Sequence, residues 1–76
     1  MSTVYVICEP VDLGYHMVAG FASHDRAKAE LDRMVQQARK EKIIGLIKGC
    51  NYTQQKAEQY VQHTTFYELE ILEIEE

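Results

Sequence analysis

Apolar and polar positions along the chain fall into five stretches with different periods. Residues 3–9, Thr-Val-Tyr-Val-Ile-Cys-Glu, are β-branched and aromatic, the composition of a strand. Val4, Val6 and Cys8 take one side and Tyr5, Ile7 and Glu9 the other. Both sides are mostly apolar, which suits a central strand, and Pro10, lacking an N–H, is expected to close it. Residues 10–14 form a turn carrying Asp12 and Gly14. Residues 15–22, Tyr-His-Met-Val-Ala-Gly-Phe-Ala, make a second strand, and the short connection makes the pair an antiparallel hairpin. Gly20 inside that strand predicts a bulge or a close approach by a helix.

The period then changes. Ser23 is placed as a helix N-cap with Asp25 in the first turn. Ala27, Leu31, Met34, Val35 and Ala38 follow at helical spacing, predicting a helix from about 24 to about 42. Ile43, Ile44, Leu46 and Ile47 fit either more helix or a short buried connector, and periodicity does not separate the two. Gly49, Cys50 and Asn51 break the pattern. Asn51 or Thr53 caps a second helix running to about 63, and Asn51 with Gln54 fits a capping box. The tail from Thr64 to Glu76 is a third strand. Its parity switches between Leu69, Ile71 and Leu72, Ile74, which predicts a bulge near Ile71–Leu72 or partial cover on both faces.

The order is β-β-α-α-β, an α+β two-layer sandwich: a three-stranded antiparallel sheet, the tail strand beside the first, and two helices on one face. That leaves the other face open. Either Tyr5, Ile7, Tyr15, Met17 and Phe21 or Val4, Val6, Cys8 and Val18 form the core, and the remaining set is a contact surface. With 76 residues, the chain is expected to be one domain with a thin core that self-association would strengthen. It shows neither a membrane span nor the layout of a signal peptide, which points to a soluble protein of the cytoplasm.

Charge is split along the chain. The net charge is −4, yet all eight cations lie between Arg26 and Lys56, where residues 23–57 set them against four anions. Residues 58–76 carry six glutamates and no cation. Arg26, Arg33 and Lys40 recur every seven residues along one side of the first helix, flanked by Arg39 and Lys42, a stripe that could engage phosphates. Asp25, Glu30, Asp32 and Glu41 share that helix, so a solvated face with i,i+4 ion pairs accounts for the same residues. Five glutamates within the last nine residues give the tail the look of a phosphate mimic or of an acidic docking strand.

Chemistry-grade motifs are thin. Cys8, Cys50, His16, His24 and His63 are metal-ligand types, but the nearest spacing among them is eight residues, whereas zinc sites gather four ligands and usually show a close pair. Cys50, in a Gly-Cys-Asn turn before the second helix, could be activated by that helix N-terminus with His63 as base. No flanking signature supports it, and so small a domain has little room for a substrate pocket. The glycines form no phosphate loop. The reading is therefore not an enzyme, and nothing calls for a cofactor. Five tyrosines and two phenylalanines are more than the core can bury, and tyrosine is favoured where one end of a side chain is apolar and the other wet. Tyr5, Tyr15, Tyr67, Glu68, Glu70, Glu73 and Glu75 are the candidate partner-binding residues; Arg26, Arg33, Arg39 and Lys40 are the alternative, nucleic-acid-binding set. The expected partner is a protein, with a homodimer as one form of it.

The stretches Phe21-Ala22-Ser23-His24-Asp25-Arg26-Ala27-Lys28-Ala29-Glu30 and Phe66-Tyr67-Glu68-Leu69-Glu70-Ile71 resemble small uncharacterised proteins of phages and mobile elements. Those proteins combine a Val-Tyr-Val-Val strand, a Gly-x-Phe-x-Ser lead into a Lys-Ala-Glu-rich helix, and a tail alternating Glu with aliphatics. Phe21 and Ser23 match by position, Gly20 stands directly before Phe21 without the intervening residue, and the pattern holds no catalytic residue to carry over. The resemblance implies a protein that binds and blocks a host protein, as anti-defence inhibitors such as the anti-CRISPR proteins do.

Overall fold

The computed structural model describes residues 2–75. Its elements are β1 (Ser2–Val11), β2 (Gly14–Phe21), α1 (His24–Cys50), α2 (Gln54–Gln62) and β3 (Glu68–Ile74). The strands form one antiparallel sheet in the order β2-β1-β3, so the class, the element order and the central place of β1 are those the sequence predicts. Pro10 does not close β1. The strand continues to Val11, and Pro10 stands opposite Tyr15. The turn shrinks to Asp12 and Leu13, and Gly14 leaves it with φ +131°, a conformation open to glycine and strained for other residues.

The bulge in the hairpin is not at Gly20. Ile7 stands opposite Ala19 and Cys8 opposite Met17, so Val18 is the extra residue, two positions on β2 facing one on β1. Gly20 pairs with Val6, and a Cβ placed on it would meet Val4 at an ordinary 3.5 Å. In β3 the predicted bulge near Ile71–Leu72 is absent: pairing runs unbroken from Ser2 opposite Ile74 to Cys8 opposite Glu68. The strand is also shorter than Thr64–Glu76, beginning at Glu68, and Glu76 lies outside the described residues.

Helix α1 runs 27 residues, which resolves the isoleucine-rich stretch as helix. At 1.5 Å per residue it is about 40 Å long, longer than the strands it crosses. Ser23 caps its start, its Oγ accepting from the Arg26 N–H, as predicted. Its end decides between the two candidate caps of α2, Asn51 and Thr53. Asn51 adopts the left-handed conformation at φ 57° and donates its backbone N–H to the Leu46 carbonyl, so it terminates α1 instead of starting α2. Thr53 is the N-cap of α2, its hydroxyl accepting from the Lys56 N–H at 3.2 Å, and no Asn51–Gln54 capping box forms.

The helical layer is uneven. α1 touches all three strands, while α2 packs on α1 and not on a strand. The buried residues are accordingly few: Val6, Ile7 and Cys8 of β1, Ala27 and Leu46 of α1, and Ala57 and Val61 of α2. The molecule is extended, 52 × 27 × 15 Å with a radius of gyration of 15.2 Å, against about 11 Å for a compact chain of this length. The C-terminal part of α1, with α2, forms a helical hairpin reaching past the covered sheet. No described helix is long and apolar enough to cross a membrane.

Candidate functional site

Register decides which side chains share a sheet face, because residues directly opposite point the same way. One face carries Tyr5, Ile7, Ala19, Phe21, Leu69 and Ile71. α1 lies on this side: the His24 ring meets Tyr5 edge-on at 5.3 Å, and Tyr67 lines a hollow with Met34 and Ala38 of α1. The opposite face carries Val4, Val6, Cys8, Tyr15, Met17, Glu68, Glu70, Leu72 and Ile74. The bulge at Val18 therefore regroups the two alternative sets. Tyr15 and Met17 leave the company of Tyr5, Ile7 and Phe21 and join Val4, Val6 and Cys8.

The second face is open. Val6 and Cys8 are buried mid-face on the central strand, Cys8 between Met17 and Glu68 and Val6 between Gly20 and Glu70. Around them Met17 is 63% exposed, Tyr15 59%, Ile74 50% and Leu72 44%. Glu68 and Glu70 complete the face beside Cys8 and Val6. Hydrogen bonding toward the Glu68 carboxylate, then its negative charge, raises the Tyr15 phenol above its ordinary value. Burial, with Glu70 and Glu68 adding, pushes the Cys8 thiol up, so it stays a neutral thiol and no nucleophile. The result is an apolar surface that also carries two carboxylates.

The sequence-derived partner residues are thus divided. Tyr15, Glu68 and Glu70 come together on the open face. Tyr5 and Tyr67 lie on the helix side against α1. Glu73, opposite Thr3, points to the helix side as well, and Glu75 follows β3 beyond its paired end. Because Ile71 and Leu72 are adjacent with no bulge between them, the two halves of the acidic tail cannot share a face. Met17 stood in one of the two alternative face sets, grouped there with Tyr5, Ile7 and Phe21, whereas Leu72 and Ile74 were in neither; their signal lay in the register, not in the residue types.

The basic residues divide too. Arg33 is held by Glu30, which it keeps below the usual carboxylate range, and Lys28 pairs with Asp32 at 3.4 Å. Lys42 and Lys56 stand over the rings of Tyr60 and Tyr52 at 5.7 and 4.8 Å. Arg39 and Lys40 have no ion-pair partner among the described residues. They rim a groove of about 410 Å³ whose floor is Ile43, Ile44 and Ile47, with Gln36 and Gln54 at its margins. The isoleucines that did not fit a single periodic reading thus line an apolar groove on the helices. Arg26, exposed in the first turn of α1, is two helical turns from Arg33 and nearly four from Lys40.

Cys50 is exposed and ends α1, three residues short of Thr53, the cap of α2. A helix C-terminus carries partial negative charge, the opposite of the field that the nucleophile reading requires. Among the described residues no three of His, Cys, Asp and Glu gather as a metal would need. No family model, no curated protein and no solved structure matches the chain.

Proposed function

We propose that this is a non-enzymatic binding protein whose open sheet face, built from Tyr15, Met17, Glu68, Glu70, Leu72 and Ile74, holds a protein partner. The observation that carries this reading is that half of a three-stranded sheet stands uncovered, apolar at its centre and acidic along β3. Contiguous apolar surface of this kind marks contact sites, and carboxylates on the same face favour a partner surface that is apolar and basic. The sequence resemblance supplies the biological setting of the proposal: a phage-encoded inhibitor of a bacterial defence complex, acting in the host cytoplasm by occupying a surface that the complex needs.

A second reading, a nucleic-acid-binding regulator, rests on Arg39 and Lys40 being unpaired and on Arg26 and Arg33 sharing their helix. Two points weigh against it. Arg33 is already engaged by Glu30, and phosphate tracking needs several free cations in a row.

Affinity capture from a bacterial lysate, with and without nuclease, separates the two. A partner protein retained after nuclease, and lost when Glu68 and Glu70 are changed to Gln, supports the sheet-face reading. Equal capture by that variant removes the acidic face from it. Capture that vanishes with nuclease, and falls steeply with added salt, transfers the function to the basic helix.

A further inference from the structure

We infer that a second copy of this chain covers the open sheet face, docking the basic-rimmed isoleucine groove of its α1 onto it, and that the contact is made twice about a two-fold axis. The inference rests on the reading of that face as a protein-contact surface and names what occupies it when the chain is alone.

Surface area argues first. The chain exposes 5830 Å², whereas a folded monomer of 8.8 kDa is expected to expose about 4,800 Å². The excess, roughly 1,000 Å², is what one partner contributes to a stable interface, about 800 Å² at standard size and more in obligate dimers. The extended shape tells the same story in length. The helical hairpin projects where it has no sheet of its own to cover, and the sheet has a face for which its own chain supplies no helix.

Charge then selects how two copies meet. Sheet face on sheet face would bring Glu68 and Glu70 of both copies together. Groove on groove would confront the unpaired Arg39 and Lys40 with their own kind. Groove on sheet face sets Ile43, Ile44 and Ile47 against Met17, Leu72 and Ile74, with the two cations beside the two carboxylates. Both apolar surfaces are then covered and both charge sets matched, which neither alternative achieves. Each sheet gains a helix on its second face, the three-layer arrangement that buries both sides of a sheet. Because groove and face are different surfaces of one chain, a one-way contact would propagate into a filament; made reciprocally, it closes at two copies.

Charge reversal tests this without any foreign partner. Light-scattering mass is measured for the wild type, for Arg39→Glu/Lys40→Glu, for Glu68→Lys/Glu70→Lys, and for an equimolar mixture of the two variants, with circular dichroism confirming that each is folded. The wild type is expected at the mass of two chains and each variant at the mass of one. The mixture returns to two, since one interface is then reversed on both sides and the other is native. A monomeric or open-ended wild type overturns the inference, as do variants that remain dimeric or a mixture that stays monomeric. A monomeric wild type leaves the capture experiment above to judge the sheet face on its own, so the two failures are distinct.

Discussion

On the helix side of the sheet Ile7 has no exposed surface, enclosed under α1 between Ala19 and Leu69, while across the same strands Met17, Leu72 and Ile74 keep about half of theirs. Both faces are built from the same aliphatic and tyrosine stock. What separates them is where one helix lies. α1 leaves β2 at Phe21 and turns back over the side to which Tyr5 and Ile7 point, and α2, which could have widened the cover, packs on α1 instead. The comparison teaches that apolar content in a small α+β chain does not equal core. A surface of core-like composition remains wherever the helical layer fails to reach, and such a surface needs something from outside.

The largest effect that can break this contrast is a truncation on each face. Ile7→Ala is expected to cost about 2–5 kcal/mol, the range for deleting most of a fully enclosed aliphatic side chain. Leu72→Ala, at 44% exposure, is expected to cost about 1 kcal/mol or less in dilute solution, in proportion to the smaller area it removes from contact. Urea unfolding of both variants at low concentration makes the measurement. Equal costs under those conditions would mean that the open face is covered within one copy. A Leu72→Ala cost that grows with chain concentration is the mark of cover by a second.

A smaller effect sharpens the boundary of the covered region along α1. Ala27 is fully buried and Ala29, half a turn on, is exposed. Ala27→Leu is expected to destabilise by about 1–3 kcal/mol through overpacking, whereas Ala29→Leu stays within about 0.5 kcal/mol of the wild type. Thermal melts of the pair distinguish them. A tolerated leucine at Ala27 would mean that α1 rides loosely on the sheet and that the covered face is less closed than its residues indicate.

These contrasts also mark how far the sequence could be followed. The element order, the central strand and the Ser23 cap follow from local rules, because propensity, turn residues and a capping hydroxyl act within a few positions. The faces do not. The bulge at Val18 is two residues of β2 facing one of β1, a property of the pair that neither strand's own alternation contains, and it alone moves Tyr15 and Met17 to the open side. The isoleucine stretch remained ambiguous because Gly45 and Gly49 each disfavour helix by about 1 kcal/mol relative to alanine. Burial of Leu46 at the contact with α2, alongside Ala57 and Val61, outweighs that penalty. The choice between Asn51 and Thr53 as the cap of α2 stayed open for a similar reason. Asparagine serves both helix starts and left-handed helix ends, and only the path into Thr53 decides between them.

The finest test of the contrast is electrostatic and belongs to the open face. Cys8 and Tyr15 both hold their protons more tightly in the fold than free side chains do, Cys8 through burial and Tyr15 through its bond to Glu68. For an acidic group raised in this way, the stabilising contribution is complete below the unfolded value. It begins to fall as the unfolded chain ionises, near pH 8.5 for a thiol and near pH 10 for a phenol, and is fully lost once pH passes the higher folded value. Stability is therefore expected to decline in two overlapping steps on the alkaline side. Cys8→Ala removes the earlier step and Tyr15→Phe the later one, each flattening its part of the profile in urea midpoints taken from pH 7 upward. Tyr5→Phe, on the helix side, serves as the control for removing a phenol hydroxyl from the sheet. If the Tyr15→Phe profile is superimposable on that of the wild type, the Tyr15–Glu68 bond does not organise the open face.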